Sequence, residues 1–356
     1  MTPDPVERDT IEIYDAEVTT YRANRSSRFA DRAAALSSAA AGPVLDAGCG
    51  PGTYLPSLGP AVVGLDASVS MLDLATTHGR PLVRADLTRL PLRPGALGGV
   101  WARNSYLHVP HAELPLALAE LHRATAVGAP VACSLITGPD DEVVSDDDLP
   151  GRRFWRWSDA ALVDLLTGAG FEDVSLSGDQ PRFVDAVRAR TLPDFVGPDM
   201  RVLVVGLNPS LHAADAGVGY VTPSNRYWRA AIGAGLVTVD RDPWHSLREH
   251  GVGMTDLVKR ATRRADELTA DEYRAGVERV ERLCARLQPG VVCVVGLAGW
   301  RSAVDRKAAV GLQQRDLGGR PVYVMPSTSG LNASSQLPDL VDHLRASRDL
   351  ADHHRS

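Results

Sequence analysis

Short apolar runs that end in glycine or an acid punctuate the chain, and between them apolar residues recur every three or four positions. The clearest runs are Pro43-Val-Leu-Asp-Ala-Gly-Cys-Gly-Pro-Gly52 and Arg201-Val-Leu-Val-Val-Gly-Leu-Asn-Pro-Ser210. An unbroken Val/Leu run bounded by glycine suits a strand covered on both faces, as in a parallel sheet. The pattern predicts strands near residues 43–47, 61–66, 81–85, 98–103, 129–136, 172–177 and 182–189, and again near 201–206, 291–296 and 321–325. Thr269-Ala-Asp-Glu272 has capping-box spacing, and Tyr273, Val277, Val280, Cys284 and Leu287 line one face of the helix it opens. Alternating strands and helices imply an α/β fold of two doubly wound domains. They divide near Thr191-Leu-Pro193, giving residues 1–190 and 191–356, with the junction inside 186–198. The first sheet has seven strands and the second is smaller and parallel. Asp140-Asp-Glu142 and Asp146-Asp-Asp148 read as an acidic surface loop.

The length of 356 residues fits two domains, and 44% apolar with 23% charged residues lets each bury a core. A disordered or fibrous chain is excluded. No apolar run approaches the ~18 residues of a membrane span, and the acidic start lacks a secretory stretch. Cys49, Cys133, Cys284 and Cys293 are scattered, which argues against a disulfide framework, a zinc site or an iron–sulfur cluster. A reducing, cytoplasmic setting without metal is expected. Charge is uneven: residues 1–190 carry a net −8 and residues 191–356 a net +2. The acidic first half is a poor partner for a polyanion, because nucleic-acid binding neutralises phosphates; the second half is not strongly basic but can concentrate positive charge on one face.

In the first half, Gly48, Gly50 and Gly52 let backbone approach a ligand at the end of a strand. Asp46, read as part of that turn, repels phosphate but suits an ammonium group. Asp66 ends the second strand, where its carboxylate can bond ribose hydroxyls, and Asp86 ends the third, where it can accept from an adenine amine. Three acids ending successive strands, with a Gly-x-Gly-x-Gly turn at the first, resemble a class I S-adenosylmethionine-dependent methyltransferase with a Rossmann-like sheet. The resemblance spans about residues 10–190 and takes in Tyr14-Asp15, Tyr21, Arg103-Asn-Ser-Tyr-Leu-His108 and Phe154-Trp-Arg-Trp157. It implies S-adenosyl-L-methionine as cofactor, held by Tyr21, Asp46, Gly48, Gly50, Asp66, Asp86, Leu87 and Arg103.

The methyl acceptor is not legible. The amino-directed DNA enzymes carry a proline pair after the fourth strand, and this chain has Arg103-Asn-Ser-Tyr106 there. Cys133 lies inside a strand and reads as a buried, inert thiol. His108 and His111 are candidate general bases, with ordinary surface histidines the plainer reading.

In the second half, Gly206-Leu-Asn-Pro-Ser210, Gly217-Val-Gly-Tyr220, Asn225-Arg-Tyr-Trp228, Gly253-Met-Thr-Asp-Leu-Val258 and Met325-Pro-Ser-Thr-Ser-Gly-Leu331 come in order. They resemble the mismatch-specific thymine/uracil branch of the uracil-DNA glycosylase superfamily, from about Thr191 to Leu350. The resemblance implies a monofunctional base-excision repair glycosylase acting on double-stranded DNA with G·U or G·T mispairs. It assigns catalysis to Asn208, stacking on a flipped base to Tyr220, base binding also to Gly206, Leu207 and Ser327, and a duplex wedge to Gly330 and Leu331.

That chemistry suits these residue types. A base inside a duplex must be turned out at a cost of a few kcal/mol, least for a mispair. Backbone N–H groups near Gly206 and Leu207 can stabilise charge on the leaving base. The Asn208 amide is no base, but it can orient a water. No lysine sits in these motifs, Lys259 being nearest in sequence, so no lyase step is expected. Arg226, Arg229, Arg263 and Arg264 are candidate phosphate contacts. Asn225, Tyr227 and Trp228 read as packing and turn residues. Two positions depart from the family pattern: Ala333 stands where an arginine often follows the wedge, and Asp256 brings a carboxylate near the pocket. In the alternative reading, methyl transfer to a small molecule is the main activity and the second half is a degenerate DNA-binding module.

Overall fold

A computed structural model of the chain describes residues 5–23 and 26–353. The chain divides into two compact units, one ending at Ala189 and the other beginning at Arg190.

The first unit is built on a mixed sheet. Five parallel strands come first: β1 (Val44–Ala47), β2 (Val62–Asp66), β3 (Leu82–Arg84), β4 (Gly99–Ala102) and β5 (Pro130–Thr137). They lie in the order β3-β2-β1-β4-β5. The hairpin of β6 (Asp141–Val144) and β7 (Arg153–Trp157) pairs with the end of β5. The strands β8 (Phe171–Ser177) and β9 (Arg182–Arg188) complete the other side, β9 running antiparallel to β5. All seven strands expected from the sequence form, but the hairpin makes the sheet nine-stranded among the described residues. The acidic stretch is therefore not all loop. Asp141 faces Arg156 across the hairpin, and Arg156 and Arg153 are ion-paired with Asp141 and Glu142.

β1 and β4 are buried at every position, and helices such as Leu114–Ala124 cover the sheet. The order of β1 to β5 reverses between β1 and β4, so the ends of these two strands open a crevice, the usual ligand position in such sheets.

The second unit carries β10 (Val202–Gly206), β11 (Val252–Asp256), β12 (Val291–Val295), β13 (Gly311–Leu312) and β14 (Val322–Met325). Their order is β11-β10-β12-β14-β13, with β13 antiparallel at one edge and the other pairings parallel. The sheet is thus not wholly parallel, and β11 and β13 are strands the apolar pattern does not announce. The register of β10 and β11 sets Gly206 opposite Asp256 at the ends of the strands. The helix Ala270–Leu287 starts at the Thr269 capping box and buries Val277, Val280 and Cys284. No helix among the described residues is long and apolar enough to cross a membrane.

Candidate functional site

Two constellations stand at the carboxyl ends of the parallel strands, one in each unit. In the first unit, a cavity of about 120 Å³ opens above β1, β2 and β4. Tyr21, Gly48, Gly50, Asp66, Asp86 and Leu87 all line it, so the structure brings six of the eight expected contacts together. Gly48 has φ +74°, and a Cβ there would lie 2.3 Å from Ser105 Cβ; only glycine fits this turn.

The carboxylates differ in how far the protein satisfies them. Asp66 accepts from Gly50 N (2.8 Å) and Ser68 N (2.9 Å), holding the glycine turn to the end of β2. Asp86 accepts through Oδ1 from Thr88 N (2.7 Å) and Thr88 Oγ1 (2.8 Å), a local turn contact. Asp46 is not in the turn, as the sequence suggests, but inside β1. It is 2% exposed, and its Oδ2 has no hydrogen-bond partner. Burial, and then the charge of Asp66, pushes its carboxyl up to about 8.

Asp46 and Arg103 line a second cavity of about 190 Å³, which shares Tyr21, Gly48 and Asn104 with the first. Cys133 is buried in β5, its thiol pushed up by burial to about 12. His108 is no surface histidine. Its Nδ1 meets Arg153 O at 2.7 Å and its Nε2 meets Tyr14 Oη at 2.9 Å, and burial drives it down to about 4. Because a carbonyl only accepts, Nδ1 carries the proton and Nε2 accepts from the tyrosine. His111 is likewise engaged, with Nε2 at 2.7 Å from Arg156 O.

In the second unit, one cavity of about 330 Å³ gathers Gly206, Leu207, Asn208, Tyr220 and Ser327, the five residues expected at a base pocket. Asn208 Nδ2 donates to Thr262 Oγ1 (2.8 Å), Arg260 O (2.9 Å) and Pro209 O (3.2 Å). The amide nitrogen is therefore fully engaged, and the side chain offers Oδ1, an acceptor, to the cavity it lines.

Tyr220 has φ +57°, rare for a bulky residue. The Trp228 indole donates to Gly219 O (2.9 Å) beside it, and the Tyr220 ring stacks on Tyr227 at 4.4 Å. The Tyr220 hydroxyl is buried without a partner. Asp256 closes in from β11: a Cβ on Gly206 would lie 2.2 Å from Asp256 Oδ1 and 3.1 Å from Tyr220 Oη. Burial pushes the Asp256 carboxyl up to about 6, with Lys259 opposing.

Behind the pocket is a network that the sequence does not advertise. Asp194 is ion-paired with Arg279 and Lys259, both at 2.7 Å, and accepts from Thr255 Oγ1 (2.6 Å). Burial would raise the Asp194 carboxyl, but Arg279 and Lys259 together hold it below its usual value. Arg279 also donates to Asp256 O (2.7 Å), fixing the end of β11. Lys259 is occupied there and does not line the cavity.

Gly330 and Leu331 lie on a loop outside the cavity lining, and Leu331 is 95% exposed. A side chain on Gly330 would meet Ser224 Cβ at 2.7 Å. The Arg226 guanidinium donates to Ser335 O (2.5 Å), Ser329 O (2.8 Å) and Asn332 O (2.8 Å). Arg226 is thus the anchor of this loop and not a phosphate contact. Its partners lie more than a hundred residues away, a pairing no local pattern reveals. Arg264 is ion-paired with Asp266 on the surface, while Arg229 and Arg263 are exposed.

Comparison with known proteins follows the same division. Residues 45–133 match the family described as a methyltransferase domain, and residues 193–349 match the uracil DNA glycosylase superfamily. Among solved structures, the DhpI–S-adenosylhomocysteine complex is 24% identical, with 52% of this chain and 97% of that chain covered and a TM-score of 0.41. A possible histamine N-methyltransferase from Thermotoga maritima is 17% identical, covering 50% of this chain and 99% of that chain at a TM-score of 0.40. The 1,6-didemethyltoxoflavin-N1-methyltransferase of Burkholderia thailandensis is also 17% identical, covering 53% and 92% at 0.41. The chain joins a methyltransferase domain to a domain of the uracil DNA glycosylase superfamily.

Proposed function

We propose that the second unit is a monofunctional DNA glycosylase that hydrolyses the N-glycosidic bond of uracil or thymine mispaired with guanine in double-stranded DNA. The observation that carries this reading is Asn208: its nitrogen is spent on three protein acceptors, which leaves its neutral oxygen as the acceptor at a cavity of about 330 Å³. Such an oxygen orients a water for attack at the sugar carbon. Catalysis of this kind rests on position and not on basicity. Tyr220 supplies a flat wall, and the exposed Leu331 enters the gap that a flipped base leaves. Lys259 is tied to Asp194 and no lysine among the described residues lines the pocket, which fits a product that is an abasic site in an uncut strand.

Asp256 sharpens the base preference. The protonated carboxyl both donates and accepts, matching the alternating carbonyl and N–H edge of uracil; the ionised form only accepts.

The first unit we read as binding S-adenosyl-L-methionine. Its residues fit that group. Asp46 is a buried acid with an orphaned oxygen suited to an ammonium, Gly48 and Gly50 leave room for close approach, and Asp66 and Asp86 face the cavity with open lone pairs. Bound there, the cofactor supplies an electrophilic methyl group. Tyr21 and Leu87 wall the cavity.

The test is single-turnover incubation of the full chain with a labelled G·U duplex, followed by alkaline cleavage. Excision supports the glycosylase. Absence of excision from every mispair, with duplex binding retained, would leave a degenerate binding module and overturn it.

A further inference from the structure

We propose that Asp194, Lys259 and Arg279 are positioning residues for Asp256: together they fix the end of β11 and set the charge of the carboxyl that lines the base pocket. The inference rests on the base-recognition reading of the second unit.

The network is assembled from separate stretches of chain. Asp194 is seated by a two-bond bridge, Phe195 N to Met254 O and Met254 N to Phe195 O, both 2.9 Å, which holds the segment before β10 against β11. Arg279 comes from the helix Ala270–Leu287, one turn beyond Gly276. A Cβ on Gly276 would lie 2.2 Å from Leu257 O, so the helix backbone rests on the residue after Asp256, an approach only glycine allows. From there the Arg279 guanidinium reaches Asp194 Oδ2 (2.7 Å), Thr255 Oγ1 (2.9 Å) and Asp256 O (2.7 Å). Lys259 Nζ donates to Asp194 Oδ1 (2.7 Å). Arg279 thus grips the backbone of Asp256 and leaves its carboxyl to the cavity.

Charge is what a purely structural role does not explain. Asp194 and Arg279 are buried, and one such pair already answers the carboxylate. Apolar side chains of similar volume would serve stability as well or better. Instead two cations share Asp194, and the surplus positive charge stands beside Asp256. Burial raises the Asp256 carboxyl, Lys259 opposes the rise, Asp194 adds to it and Arg279 opposes it again, which leaves it at about 6. Tyr220 faces the same carboxyl, and burial keeps its phenol protonated and uncharged. Both forms of Asp256 are therefore accessible near neutral pH, the protonated one with a donor and an acceptor and the ionised one with acceptors alone. Lys259 and Asp194 pull on it in opposite directions, so their electrostatic effect is separable from any effect on the fold.

The experiment is the pH dependence of single-turnover uracil excision from a G·U duplex by the full chain, in the wild type, Lys259→Met and Asp194→Asn. Wild-type excision should decline with a midpoint of about 6. Lys259→Met removes a cation and should raise the midpoint by roughly one pH unit; Asp194→Asn removes an anion and should lower it by roughly as much. Loss of packing alone would slow both variants at every pH and leave the midpoint in place. Midpoints that stay put, or that move in the same direction, overturn the proposal. If Asp194→Asn does not fold, Lys259→Met decides alone, and an unmoved or lowered midpoint overturns it. The infrared C=O band of the protonated carboxyl, assigned by its loss in Asp256→Asn, reports the same midpoints without any reaction. Wild-type protein that excises nothing, while that band moves in opposite directions in the two variants, overturns the glycosylase reading and supports the role of the network.

Discussion

The turns that follow β1 and β10 begin alike, as a buried strand running into glycine, and then part company. At the first, the polar group beside the turn is Asp46, buried, with one oxygen lacking any partner and a carboxyl pushed up to about 8. At the second it is Asn208, whose nitrogen is held by Thr262, Arg260 and Pro209. On the readings proposed above, the first site would be completed by a cation, and the second is arranged beforehand for a water and a base. A charge left unsatisfied by the protein suits selective capture of a charged ligand. A neutral amide already locked suits catalysis, because it costs no reorganisation when the reaction occurs.

The sharpest way to break this contrast is Asn208→Ala. Single-turnover excision from a G·U duplex should fall ~10²–10³-fold, the usual loss for one preorganised polar group. Duplex binding, followed separately by anisotropy, should change less than about threefold, since affinity comes from phosphates and from the loop of Leu331. Equal losses in rate and affinity would erase the distinction between the two turns.

Next in size is Asp66→Ala, which removes the acid that also holds Gly50. Calorimetric affinity for S-adenosylhomocysteine should weaken by roughly 1.5–3 kcal/mol.

Asp46 tests the incomplete site directly. Its carboxyl is raised in the fold, so the folded chain holds a proton that the unfolded chain has lost between about pH 4 and pH 8. Its contribution to stability is full below about pH 4 and is lost as pH rises towards 8. Asp46→Asn should therefore flatten the decline of melting temperature over that window. The same variant should lose cofactor affinity, while wild-type affinity should climb as pH approaches 8 and the ammonium's partner ionises.

The smallest effect belongs to Asp256. Wild-type excision of uracil should decline as pH rises through about 6, and Asp256→Asn, which donates and accepts at every pH, should flatten the profile. A pH-independent wild type would remove Asp256 from base recognition.

Much of this architecture is legible in the chain, and the failures have physical causes. Strands buried on both faces announce themselves, as β1, β10 and β12 do. β11 does not, because Val252-Gly-Met-Thr-Asp256 has little β-branched apolar content and is set by pairing with β10. The β6–β7 hairpin hides behind Asp140-Asp-Glu142, whose charges are answered by arginines on the partner strand. The candidate pocket residues of the second unit stand in local motifs, and one cavity gathers Gly206, Leu207, Asn208, Tyr220 and Ser327. The anchoring role of Arg226 and the Asp194–Lys259–Arg279 network are invisible, because both depend on contacts between residues 61–109 positions apart. Arg103 was legible as important but not as belonging to a second cavity, which only the fold of residues 26–54 beside β4 creates.

The seam around Tyr14 bears on timing. Thr10, Ile11 and Tyr14 of the helix Pro5–Ala16 form part of the first cavity's wall. That helix is fastened to the β6–β7 hairpin and its surroundings by Arg152 donating to Tyr14 Oη (3.0 Å), by Tyr14 donating to His108, and by Arg153 N donating to Thr10 Oγ1 (3.2 Å). A spent cofactor leaving past this wall must part several hydrogen bonds at once. On the cofactor reading, weakening this seam is expected to shorten the residence of the spent cofactor. Tyr14→Phe, which deletes two of the bonds and keeps the ring, should release S-adenosylhomocysteine a few-fold faster in a stopped-flow chase.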